Sequence, residues 1–294
     1  MLADVERRLD RFAPPARAGA VVACFLFAIA LGLDLVPLGV DSYAYWLADP
    51  LDPYKVGQGQ LYTLGSYFYS PAFTHALGPL HALPWPAFAA LWTLFLAAAC
   101  FWLGGKWFGY VILIPFVHIE LAMGNVHLLM AAAIVLGFRW PVAWAFILLT
   151  KVTPGVGLIW FAVRREWRNL AIALGATALI VGVSFVIAPA AWSDWIGVLR
   201  ATQASEYRES TPFDFIPLPI RVVAAAGLVA WAGLTDRRWV VPIAATLALP
   251  VVYINGIALL IAAPYLWTLD RQRQEGSPAV APGPATAVAA SPSR

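Results

Sequence analysis

Charge is scarce in this sequence. Only 12% of its 294 residues are Asp, Glu, Lys or Arg, about half of what a soluble domain carries, which excludes an ordinary water-soluble globule. Four histidines and two cysteines are too few for a disulfide scaffold, and no metal centre is expected. Cys24 and Cys100 both fall in apolar stretches and read as small core residues. No acidic D-x-D pair is present to hold a divalent ion. No internal repeat is evident, which argues against an inverted-repeat transporter. The net charge is +3, and the basic residues sit in short clusters between apolar runs, which is no footprint for nucleic acid.

Hydrophobic residues make up 61% of the chain and the mean hydropathy is +0.75. Apolar runs of membrane-spanning length recur, which predicts an all-α polytopic membrane protein. Fourteen tryptophans and ten tyrosines suit the membrane–water interface.

In chain order, residues 1–17 form a basic leader and 18–40 a first span, too long for the apolar core of a signal peptide. A polar loop over 34–71 follows, carrying Asp41, Asp49, Asp52 and Lys55 among tyrosines. Residues 72–83 read as an interfacial helix, and 87–103 and 107–122 as spans on either side of Lys106. A break at Gly124-Asn125-Val126-His127 precedes a short apolar segment to Phe138.

The stretch 140–163 has Lys151 at its centre. One straight span would bury that lysine, at roughly 2.5–3.5 kcal/mol, so two half-length helices turning at Lys151 are expected. Spans at 169–187 and 220–234 flank an outer loop, 189–219. A second short hairpin over 239–269 turns at Asn255-Gly256, and the Ala/Pro-rich tail, 271–294, is expected to be disordered. On this map of about ten crossings, inner segments hold fourteen of the nineteen basic residues, which puts both termini in the cytoplasm.

Several motifs occur in order: Asp41-Ser42-Tyr43-Ala44-Tyr45, Tyr69-Ser70-Pro71, Gly124-Asn125-Val126-His127 and Lys151-Val152-Thr153-Pro154. The series resembles the family 87 glycosyltransferases of the GT-C fold, which use polyprenol-phosphate-mannose donors. The likeness covers about 18–185 well and the remainder loosely. Ser70 departs from the family's first proline, Asn125 and His127 stand where Gln and Asn are usual, and Tyr253 and Asn255 stand where relatives often carry a histidine. The resemblance implies a GT-C-like bundle in the cell membrane. It also implies inverting hexose transfer, most simply of mannose, from a polyprenyl monophosphate to a lipid or glycan acceptor on the extracytoplasmic face.

Such a transfer needs a base for the acceptor hydroxyl and a cation beside the leaving phosphate. Asp41 is the candidate base; its plainer reading is a solvated helix-end carboxylate. Lys151 is the candidate phosphate ligand, against the reading of a lysine reaching for the interface, with Arg208 and Arg221 as second choices. Tyr45, Tyr69, Glu120, Asn125, His127, Tyr253 and Asn255 are candidate substrate-binding residues. Trp192 and Trp195 suit an interfacial belt better than a sugar platform. His75 and His81 need no role. Two other classes remain open on the sequence: a lipid or small-solute transporter, and a non-catalytic partner subunit of the same fold.

Overall fold

The computed structural model describes residues 2–33, 35, 39–56, 63–203 and 215–275. Every regular element among them is helical, as an all-α membrane protein requires. Helix α1 (Leu2–Gly32) runs without interruption through Pro14 and Pro15. Its membrane-length apolar part is Leu9–Gly32, so leader and span are one helix, and it ends earlier than the apolar run to residue 40 suggests. Gly39 then takes a left-handed conformation (φ 82°) and starts α2 (Val40–Leu47), a short helix inside the expected polar loop.

Helix α3 (Pro71–Leu77) opens with a proline at its first turn and continues into a 3₁₀ turn, Gly78–Ala82. Pro84 and Pro86 set the start of α4 (Trp85–Gly104). A 3₁₀ turn, Gly105–Trp107, links α4 to α5 (Phe108–Val111), and the backbone turns at Gly105 (φ 52°, ψ −127°), so that a Cβ on Gly104 would meet the Val111 side chain at 3.7 Å. The turn expected at Lys106 is thus present, but the expected span 107–122 is not one helix. Pro115, which cannot extend a helix that precedes it, opens α6 (Pro115–Met123) instead. Helix α7 (His127–Gly137) leaves α6 at an angle of 107°.

The stretch around Lys151 divides as its composition requires. Helix α8 (Trp144–Thr150) stops at Lys151, and a 3₁₀ helix, Thr153–Leu158, leads into α9 (Ile159–Val163). Helix α10 (Trp167–Ile187) is a long span, followed by α11 (Pro189–Gln203) and α12 (Leu218–Leu234). Helix α13 (Val240–Leu247), a 3₁₀ helix Ile254–Ile261 and α14 (Ala262–Glu275) complete the described chain. The break in this last hairpin lies before Tyr253, and Asn255 sits in the first 3₁₀ turn. Helix α14 covers 271–275, where the disordered tail was expected to begin; the rest of that tail lies outside the described residues.

Among the described residues, three helices are long and apolar enough to cross a membrane, or four if α6 and α7 make one bent span. The shorter apolar helices, of 10–17 residues, reach about 15–26 Å at ~1.5 Å per residue, less than the ~30 Å hydrocarbon layer. The expected ten crossings are thus a few full spans around a group of shorter pieces. Those pieces support one another: α6 and α7 pack on the 3₁₀ helix Ile254–Ile261, and α12 packs on α9 and α13. Broken backbone at membrane depth is tolerated only inside such protein surroundings.

The basic turns assigned to one side of the membrane by the charge count are tied to one another. Lys106 Nζ is 2.7 Å from Asp10 Oδ1, and Arg164 Nη1 is 2.8 Å from Asp236 Oδ1. Arg238 Nε donates to Asp270 Oδ1 at 2.6 Å.

Candidate active site

The other set of turns also converges, around Asp41. Helix α2 places Asp41 in its first turn and Tyr45 one turn later on the same face. The bend between α6 and α7 brings Asn125 against them. Gly124 makes that bend possible. It adopts φ 71° and closes α6 in the left-handed conformation, and a Cβ there would lie 2.5 Å from Ser42 Oγ. Trp92 Nε1 donates to the Gly124 carbonyl at 2.7 Å, and the Gly39 N–H donates to the Ala122 carbonyl at 2.8 Å. The loop before α2 and the end of α6 are therefore fixed to each other by backbone.

Asn125 Nδ2 donates to Asp41 Oδ2 at 2.8 Å. Asn125 Oδ1 accepts from the Val126 N–H at 2.7 Å and from the Tyr69 hydroxyl at 3.0 Å. The Tyr45 hydroxyl in turn donates to the Tyr69 oxygen at 2.9 Å. Asp41 is half-buried and lies outside the long apolar helices. Burial pushes its carboxyl up to about 6; the Asn125 hydrogen bond opposes this, Glu120 adds to it, and Lys151 opposes it. A carboxylate so placed is ionised near neutrality and still basic enough to take a proton.

A second network is centred on Glu120, which is fully buried. Its Oε1 accepts from the His127 N–H, and its Oε2 is 3.0 Å from His127 Nδ1 and 3.0 Å from Asn255 Nδ2. This carboxylate fastens the start of α7 to the last hairpin. His127 and Asn255 are buried with it. Glu120, His127 and Asn255 are thus buried and bonded to one another, an arrangement that suits the hydrogen-bonded structural role the sequence leaves open for Glu120 and His127 beside substrate binding.

Lys151 stands between the networks. Its charge interacts with both Asp41 and Glu120, and its Nζ lies 5.6 Å from the centre of the Tyr69 ring. Among the described residues it has no hydrogen-bond or ion-pair partner, which leaves its ammonium donors available to an anion. Its backbone is anchored instead, with the N–H on Ile147 O at 2.8 Å. Ser70 Oγ donates to the neighbouring Leu149 carbonyl at 2.5 Å. A proline at position 70 could not make that bond, so the departure from the family pattern ties the tyrosine loop to the lysine turn.

The remaining expected site residues are distributed differently. Arg221 is buried, and its guanidinium donates to the carbonyls of Ile216, Leu247, Leu249 and Pro250. It clamps the start of α12 to the end of α13 through these bonds, where the sequence offers it as a second-choice phosphate ligand. Arg208 lies outside the described residues. Tyr253 caps the 3₁₀ helix Ile254–Ile261. Tyr45 and Tyr69 are buried side chains whose hydroxyls serve each other and Asn125. His75 bridges Ser184 Oγ (2.8 Å) and the Pro50 carbonyl (2.6 Å), and His81 meets the Tyr45 carbonyl at 3.1 Å, so both hold the loop in place. Trp192 and Trp195 meet edge to face and donate to Ser184 Oγ and the Phe68 carbonyl. Trp92, which holds the Gly124 carbonyl, is not marked in the sequence, because a tryptophan among so many carries no signal of its own.

No trio of His, Cys, Asp or Glu suited to a metal ion occurs among the described residues. Residues 67–292 match the model of glycosyltransferase family 87. The match takes in Tyr69, Glu120, Asn125, Lys151 and Asn255 and begins after Asp41; it starts later and runs further toward the C-terminus than the motif likeness suggests. No curated protein and no solved structure matches the chain.

Proposed function

The chain belongs to glycosyltransferase family 87, and from that premise we propose that it transfers mannose from a polyprenyl-phosphate donor to a lipid or glycan hydroxyl on the extracytoplasmic face, with inversion. The observation that carries this reading is the Lys151 ammonium, unpaired among the described residues, near the half-buried Asp41 carboxylate. An anionic leaving group and a hydroxyl nucleophile call for that combination.

In the proposed reaction the acceptor oxygen attacks the anomeric carbon while Asp41 takes its proton. The bond between that carbon and the phosphate oxygen breaks, and its electron pair leaves with the polyprenyl phosphate. Lys151 neutralises the charge that develops on that oxygen. The Tyr69 ring beneath the ammonium adds a cation–π contact that survives when the phosphate departs. The donor tail lies in the bilayer, alongside a group of helices too short to cross it alone.

Incubating the purified full chain with polyprenyl-phosphate mannose and extracted membrane lipid tests the reading. The expected result is a mannosylated product of configuration opposite to the donor. Donor left intact under every acceptor, with folded protein present, overturns it.

A further inference from the structure

The hydrogen bonds around Asp41 close into a ring. Asp41 and Tyr45 are joined by one turn of α2, Tyr45 bonds Tyr69, Tyr69 bonds Asn125, and Asn125 returns to Asp41. The bonds of Asn125 to Val126 and Asp41 fix the sense of the rest. The Val126 N–H is a donor only, so the oxygen of the Asn125 amide must face it, and Nδ2 must face Asp41. Reversing the amide would set donor against donor at Val126 and oxygen against carboxylate at Asp41. The Tyr69 hydroxyl, which can donate or accept, then takes the donor role toward Oδ1 and leaves its oxygen to accept from Tyr45. Asn125 is only 5% exposed, so water does not offer it an alternative.

We infer that Tyr69 and Asn125 are positioning residues that hold Oδ2 of Asp41 and leave Oδ1 as the oxygen that meets the acceptor hydroxyl. This rests on Asp41 being the base of the proposed transfer. The ring turns two residues expected to touch substrate into an aiming device. It also accounts for tyrosine, rather than phenylalanine, at 45 and 69 inside an aromatic core. Tyr69 carries two separable functions: its hydroxyl acts on Asn125, and its ring lies under Lys151.

The Asn125 bond favours the ionised carboxylate, so losing it should move the titration of Asp41 to higher pH. The other groups facing Asp41 are Glu120 on α6, Lys151 after α8, and Tyr45 and Tyr69 of the ring. His81, on the 3₁₀ turn that packs against α2, bonds the Tyr45 carbonyl and touches the same helix from its other side.

The test uses the full chain in lipid nanodiscs, with polyprenyl-phosphate mannose as donor and extracted membrane lipid as acceptor. Tyr69→Phe keeps the ring under Lys151 and removes only the hydroxyl. It should lower kcat about 10-fold or more, as small misplacements of a reacting group do, with KM for the donor unchanged. Asn125→Ala should lower kcat further and shift the acid limb of the pH–rate profile upward. An infrared titration of the Asp41 carboxyl, assigned by difference from Asp41→Asn, should move the same way without reference to turnover. If Asp41→Asn is inactive while Tyr69→Phe and Asn125→Ala keep wild-type kcat and an unshifted Asp41 titration, the positioning role is wrong and the base stands. If Asp41→Asn turns over normally, the base itself is wrong and the ring has nothing to aim. Should Asn125→Ala fail to fold, Tyr69→Phe decides by the same two readouts.

Discussion

The two ends of this bundle treat charge in opposite ways. At one end, Lys106, Arg164 and Arg238 are each matched to an acid, Asp10, Asp236 and Asp270. At the other, Lys151 approaches Asp41 and Glu120 without an ion pair or hydrogen bond to either. Pairing satisfies a charge and uses up its donors. A charge kept close to acids yet unbonded retains its donors, and it is tolerated because its surroundings stabilise it in part. Arg221 shows that the fold can hold a buried cation near the hairpin with several bonds to backbone carbonyls. The exception at Lys151 is therefore specific to that position.

This contrast gives graded expectations. The largest effect belongs to Asp41→Asn, which keeps shape but cannot take a proton. Single-turnover rates should fall roughly 10²–10⁴-fold while donor affinity stays near wild type. Lys151→Ala should follow, with loss of about 10²-fold or more, and Lys151→Arg should recover part of it because charge survives and geometry does not. Unchanged turnover of the alanine variant at saturating donor would place Lys151 with the merely structural cations.

Acidity should have a smaller effect on the wild-type protein. Asp41 acts as a base only when ionised, and its carboxyl is raised to about 6. Activity should therefore be lost as pH falls through that value, to about a tenth at pH 5, and be flat above pH 7. A flat profile down to pH 4.5 would remove Asp41 from the rate-limiting step. The smallest effect is expected at the paired end. Lys106→Ala breaks an exposed ion pair, so thermal stability should change by no more than about 1 kcal/mol, with turnover intact. A turnover defect there would mean that the two ends are coupled.

Much of this arrangement is readable in the residues, but not all. Scarce charge and long apolar runs point to helices in a membrane, and Lys151 in the middle of an apolar stretch forces a break where α8 ends. Helix boundaries were harder, because apolar residues continue through Gly32 and Lys106 and only proline and glycine geometry mark where the chain turns. The convergence of Asp41, Asn125 and Lys151 follows their motif order. What each partner does there is not sequence-local: Asn125 and Tyr69 meet across 56 positions, Glu120 and Asn255 across 135. The carbonyls that Arg221 bonds carry no sequence signal, because every residue possesses one.

The contrast between α7 and α10 bears on how freely the sequence can drift. Most of α7 is buried, and beyond it Trp144 is enclosed so closely that a Cβ at Gly157 would come within 2.2 Å of its ring. In α10 only Ala173 and Ser184 are buried. One helix is read by its neighbours atom by atom; the other is read mainly by lipid, which asks only that it be greasy. Random substitution should therefore leave α10 variable in identity and constant in character, while α7 accepts changes only in concert with its surroundings. A saturation library would show two error tolerances in one chain, set by what each helix touches.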